Sequence, residues 1–215
     1  MGFSQKQVPN VVCIDPGHPS EVGRGTSGKS VSEVETVWLV AKSLKAVLEK
    51  SSIKVVMTKS SLNEFVTNKR RAEIANSAHA DLLIRLHCDA GESGGFAAFY
   101  PSKQGKVNGF VGPSMTVLKE SKVAASAFHP SAIASLQKKL KDRGLKTDLQ
   151  TAVGHVQGAL TGSVYSKVPV ILVEMCVLQN SGDEKFIATR SGKNIMAVAL
   201  ASGVRAALKA LKESR

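Results

Sequence analysis

Short apolar, β-branched runs alternate with helix-periodic stretches along this chain, and that alternation leaves few folds open. Val11–Ile14 is one such run, stopped by Asp15-Pro16-Gly17. Ile53–Thr58, Leu82–His87 and Phe96–Tyr100 follow, and Val168–Met175 is the strongest, broken only by Pro169 and Glu174. Between the first two runs, Val34, Val37, Trp38, Ala41, Leu44 and Leu48 recur at steps of three and four, so a helix is expected from about Glu33 to Lys50. Further helices are expected over Leu62–Ala78, over Pro130–Leu140 with Pro130 at the first helical position, and over Lys193–Leu211. Residues 101–129 are Gly- and Lys-rich and weakly patterned, and read as loop. The expected fold is a single α/β domain, a twisted, mostly parallel or mixed sheet with helices on both faces. Its span is 11–215, after an N-terminal extension of residues 1–10.

At 215 residues, with 43% hydrophobic and 21% charged residues, the chain can bury a core without disulfide staples. Cys13, Cys88 and Cys176 form no CxxC pair and read as small buried residues. No apolar run approaches the roughly 20 residues that span a bilayer, so no stable membrane insertion is expected. The opening MGFSQKQVPN lacks the charged and apolar regions of a signal peptide. The net charge of +12 points to an anionic partner. With 5% aromatic residues, a base-stacking surface for nucleic acid is disfavoured.

In open α/β sheets ligands sit beyond the carboxyl ends of strands. Three strand ends here carry groups that bind metal or move protons: Asp15-Pro16-Gly17-His18, His87-Cys88-Asp89, and Glu174. A buried carboxylate needs a partner or a metal, and for Glu174 the plainer alternative is pairing with Arg85. Glu33 and Glu35 open the first helix. Both Ser30-Val-Ser-Glu33 and Ser32-Glu-Val-Glu35 have capping-box spacing. With Ser32 as the cap, Glu33 stands free in the first turn. Cys176 shares the face of Glu174 if the strand continues. His79 reads as a helix C-terminal residue and His129 as an exposed loop residue.

These residues form an ordered series. Val-Val-Cys-Ile-Asp-Pro-Gly-His (11–18), Ser32-Glu33, Arg71-Ala-Glu-Ile-Ala-Asn76, Ala80-Asp-Leu-Leu-Ile-Arg-Leu-His-Cys-Asp-Ala90, Asp142-Arg-Gly-Leu-Lys146 and Pro169-Val-Ile-Leu-Val-Glu-Met175 resemble the motifs of zinc-dependent N-acetylmuramoyl-L-alanine amidases, in the order of that family. The resemblance implies a Zn2+ held by His18, Glu33 and His87, with Glu174 as general acid/base. It implies cleavage of the amide between N-acetylmuramic acid and the L-alanine of the peptidoglycan stem peptide, by a monomer acting in the periplasm or cell wall, with no nucleic-acid partner. Arg85, Asp89 and His155 are expected to border the substrate. Pro19-Ser20 replaces the family's usual glycines after the first histidine, and Pro19 stiffens that loop. The alternatives are a zinc peptidase cutting within the stem peptide, and a basic peptidoglycan- or nucleic-acid-binding module without catalysis.

Overall fold

The computed structural model describes residues 10–215, so the N-terminal extension assigned to residues 1–10 lies outside the described residues except for Asn10. Eight strands are described: β1 (Val11–Pro16), β2 (Lys54–Met57), β3 (Leu82–Asp89), β4 (Phe96–Tyr100), β5 (Gly105–Val107), β6 (Phe110–Gly112), β7 (Asp142–Thr147) and β8 (Val170–Val177). The helices are α1 (Glu33–Glu49), α2 (Asn68–Ser77), α3 (Met115–Leu136), α4 (Ala152–Gln157), α5 (Thr161–Val164), α6 (Ser181–Ala188) and α7 (Arg190–Ser214). Six strands form one mixed sheet in the order β2-β1-β3-β8-β4-β7, while β5 and β6 pair separately as a hairpin. β2, β1, β3 and β8 run parallel, and β4 turns antiparallel to β8 and carries β7 beside it.

The period of two divides the sheet residues between two faces. One face, with Val12, Ile14, Ile84, Leu86, Phe96, Ala98, Ile171 and Val173, packs with α1, α3 and α7 into the main core. The other face carries smaller apolar clusters around Leu83 and Leu172. By the same alternation it bears Asp15, Arg85, His87 and Glu174.

Several expectations are corrected. α2 begins at Asn68, because Thr67 caps it by accepting the Arg70 N–H; residues 62–66 are irregular, and Phe65 is exposed. Residues 101–129 are not mainly loop: they hold the β5–β6 hairpin and the first 15 residues of α3. Ser114 caps α3, and Pro130 lies inside the helix rather than at its start. The buried stripe of α3 includes Ser121, Ala124, Ala125 and Ala132, small residues that give a weak apolar signal. They allow close packing on α7, where a Cβ at Gly203 would collide with the ring of Phe128. His129 therefore lies buried in α3, with Nε2 2.9 Å from Asp142 Oδ1. α7 is long and apolar enough, by length and composition, to cross a membrane, and more than half of that window is buried in the core. Its Val198 is exposed.

Candidate metal centre

The site stands at the carboxyl ends of β1, β3 and β8. Gly17 prolongs the β1 ladder by donating to the Leu86 carbonyl at 2.9 Å. A Cβ on Gly17 would stand 2.7 Å from Nδ1 and 2.8 Å from Nε2 of His87, so glycine is what lets the two histidine-bearing segments close together. His18 follows with φ 52, a left-handed conformation that disfavours a side chain. Its loop is gripped from below: Arg71 donates to the carbonyls of Pro16 (2.7 Å) and Pro19 (2.9 Å), and Lys59 Nζ to that of His18 at 2.5 Å. Pro19 thus contributes an acceptor where its missing N–H contributes nothing. Burial, and the positive charge of Arg71 beside it, lower Lys59 to about 8.

His18 Nδ1 lies 3.0 Å from the Gly23 carbonyl, which accepts its proton and leaves Nε2 free toward Glu33 Oε1 at 3.5 Å. Ser32 caps α1 by accepting the Glu35 N–H at 3.4 Å, and Glu33 is buried in the first turn. Glu33 Oε2 accepts from the Thr26 N–H (2.8 Å) and Oε1 from the Cys88 N–H (3.1 Å). Oε1 also lies 3.0 Å from His87 Nδ1. One ligand atom from each of His18, Glu33 and His87 falls within 4.8 Å of the other two. His87 Nε2 is shielded from solvent with no hydrogen-bond partner. A Cβ at Gly25 would collide with the Glu33 carboxylate and lie 2.8 Å from the His18 ring, so the loop is shaped to this trio. Burial lowers His18, as does the neighbouring His87. Burial works to raise Glu33, but the hydrogen bond and charge of His87, with His18 and the Thr26 N–H, outweigh it and hold it below its ordinary value. Two imidazoles and a carboxylate, with His18 and Glu33 oriented by second hydrogen bonds, fit a divalent metal ion.

Glu174 is half-buried, opposite His87 in the β3–β8 register. Its Oε2 is shielded and unpartnered. Burial raises its proton affinity well above the ordinary carboxylate range, and Glu33 and Asp89 add to that, while Arg143 and Arg85 oppose it. The pairing of Glu174 with Arg85 is not formed. Arg85 is buried, its Nε donating to Asp15 Oδ2 at 2.8 Å and its Nη2 to Asn68 Oδ1. It braces the floor of the site rather than bordering open space. Cys176 does not share the face of Glu174 either. The register slips between His87↔Glu174 and Asp89↔Val177, and this bulge turns Cys176 into the main core beside Cys88, with Sγ atoms 3.7 Å apart. All three cysteines are buried.

Asp89 pairs with Arg143 at 2.8 Å. His155 is exposed on α4, which packs chiefly on β5 and on the turn at Asp148–Gln150 rather than on the ligand-bearing strands. Sequence reasoning gave no role to Arg143, Arg71, Gly17 or Gly25, although the first three lie in quoted motifs. A cavity of about 830 Å3 lies apart from the trio, along the open edge of β2, lined by Trp38, Lys42, Lys45, Met57 and Lys59.

A family model described as N-acetylmuramoyl-L-alanine amidase matches residues 12–206. The N-acetylmuramoyl-L-alanine amidase LytC of Bacillus subtilis (strain 168) is 28% identical over 199 residues, covering 91% of this chain and 35% of that protein. The chain thus spans about a third of that relative's length. Among solved structures, N-acetylmuramyl-L-alanine amidase Ami1 of Mycobacterium smegmatis matches with a TM-score of 0.75 at 20% identity, over 93% of this chain and 97% of that one. N-acetylmuramoyl-L-alanine amidase AmiC2 of Nostoc punctiforme matches with a TM-score of 0.72 at 21% identity, over 91% and 95%. At such identities the two structures speak for the fold.

Proposed function

The chain belongs to the N-acetylmuramoyl-L-alanine amidase family, and from that premise we propose that residues 11–215 form a zinc amidase catalytic domain. It would hydrolyse the amide between N-acetylmuramic acid and the L-alanine of the stem peptide in peptidoglycan. The observation that carries this reading is the convergence of His18, Glu33 and His87, with the unpartnered Glu174 carboxylate opposite His87.

His18, Glu33 and His87 would hold the ion, and zinc suits a His2Glu donor set. When bound, such an ion supplies Lewis acidity, polarising a carbonyl oxygen and acidifying water. The Gly23 carbonyl fixes the His18 tautomer, and the Thr26 and Cys88 N–H groups hold the Glu33 carboxylate in place. Glu174 takes the proton of the attacking water on its carboxylate and delivers it to the alanine nitrogen as that bond breaks. Its raised proton affinity favours delivery. Asp15, Arg71 and Arg85 make the floor rigid. The substrate lies outside the cytoplasmic membrane, so the enzyme would act in the periplasm or cell wall, where its +12 charge draws it to anionic wall polymers.

The test is digestion of purified peptidoglycan followed by mass spectrometry. Free stem peptides with an L-alanine amino terminus are expected; cleavage within the stem would make the protein a peptidase, and no cleavage by the metal-loaded protein would leave a binding module. Glu174→Gln should keep its metal and lose about 10²–10⁴-fold in kcat. Full activity in that variant would remove Glu174 from the chemistry.

A further inference from the structure

Glu174 sits in a rung that crosses four strands. It is opposite His87 of β3 on one side and Ala97 of β4 on the other. Ala97 in turn faces a bulge in β7: the register slips between Phe96↔Asp142 and Ala98↔Leu145, so Arg143 and Gly144 together oppose one residue. The rung therefore reads His87, Glu174, Ala97, Arg143, with the small methyl of Ala97 leaving room between the carboxylate and the arginine.

The arginine is aimed back over this rung. Its Nη2 donates to Asp89 Oδ2 at 2.8 Å, and Asp89 lies on β3 two residues beyond His87. Gly95, with φ 127, clears its stem, since a Cβ there would stand 3.0 Å from Arg143 Cγ. The remaining arm, Nη1, is shielded from solvent and has no hydrogen-bond partner. An unpaired guanidinium donor out of water is costly, and few such groups persist in folded proteins without a reason. A guanidinium fork with one arm tethered and one free is suited to a carboxylate.

The proposed amidase reaction, on which this inference rests, gives the free arm a direction. Glu174 protonates the departing alanine nitrogen, so the stem peptide leaves on the side of Glu174 away from the metal ligands, which is the Arg143 side of the rung. We infer that Arg143 is a specificity-determining residue whose Nη1 binds a carboxylate of the stem peptide next to the leaving alanine, with Asp89 as the positioning residue that holds the guanidinium there.

The experiment compares two muramoyl peptides that differ only at the residue after L-alanine, one with a free carboxylate there and one with a carboxamide. The unaltered enzyme should favour the carboxylate by about 10- to 100-fold in kcat/KM, the size of one charge-assisted hydrogen bond. In Arg143→Gln the preference should fall to about one, with a loss on the carboxylate substrate well beyond any loss shared with the carboxamide, and Arg143→Lys should restore part of it. Binding of the released carboxylate and carboxamide peptides, measured by calorimetry with and without metal, should show the same dependence on Arg143. Equal cleavage of both substrates by the unaltered enzyme would overturn the inference and leave the amidase reading standing. So would an equal loss on both substrates in Arg143→Gln, which would reduce the arginine to a brace for Asp89. The ratio in the unaltered enzyme needs no variant, so a misfolded Arg143→Gln rescues nothing. If the metal-loaded enzyme cleaves neither substrate, the amidase reading fails first and this inference falls with it.

Discussion

Asp15 is fully buried, and three donors close on its carboxylate: Arg71 Nη1 at 2.6 Å, Arg85 Nε at 2.8 Å and Thr58 Oγ1 at 2.5 Å. Asp15→Asn keeps the shape and removes the charge. Two buried guanidiniums then face a neutral amide, half of which is itself a donor. Breaking a buried ion pair by neutralising one partner costs about 3–5 kcal/mol. In a chain of this size each kcal/mol moves the melting temperature by about 2–4 °C, so a fall of about 6–20 °C is expected. Urea unfolding followed by circular dichroism at pH 7 measures the loss directly. Burial alone would raise the carboxyl of Asp15, but the two arginines and Thr58 hold it well below the usual carboxylate range. A folded value below the unfolded one means the stabilisation is full above about pH 4 and is lost as pH falls toward the folded value. The gap between the unaltered protein and Asp15→Asn should therefore be widest at neutral pH and shrink by about 1.4 kcal/mol per pH unit below 4. A loss under about 1 kcal/mol at pH 7, or a gap that stays constant from pH 7 to 3, would refute the argument that the Asp15 charge holds the arginine pair in place.

Three further outcomes are expected. Elemental analysis of the zinc-loaded protein should find about one ion per chain, and zinc should raise the melting temperature of the chelator-treated protein but not of His87→Ala; a metal-free active protein would end the zinc mechanism. Gly17→Ala drives a Cβ into the His87 ring and should weaken metal affinity about 10- to 100-fold while unfolding stays cooperative; unchanged affinity would mean the ring has room to move. Binding to purified cell walls should weaken between 0.1 and 1 M salt, as the screening length falls from about 10 to 3 Å; salt-independent binding would count against attraction by the +12 charge.

The limits of sequence reading show in particular elements. β4 is legible to the residue, and α1 and β3 nearly so, because their apolar periodicity is strong. α3 was not, because its buried stripe is made of alanines and a serine that pack against an equally small-residue face of α7, a fit that neither segment reveals alone. His129 is hidden for the same reason, since a histidine before a proline reads as exposed until the helix around it is known. β7 carries a bulge and no apolar run, so Asp142–Lys146 reads as a motif but not as part of a strand.

What the sequence determined by itself is which chemistry stands at which strand end. His18, His87 and Glu174 each close or nearly close an apolar run, and Glu33 opens a capped helix. Period-two alternation and capping are local properties, so they can be read without knowing the neighbours. The tertiary structure decided the rest: the strand order, the burial of Arg85 against Asp15 instead of Glu174, and the two bulges. One bulge turned Cys176 into the core, and the other set Arg143 beyond Glu174 on the same rung. Register between strands distant in sequence is set by inter-strand hydrogen bonds and by packing on both faces of the sheet, and a single extra residue in a strand reverses the direction of every side chain after it.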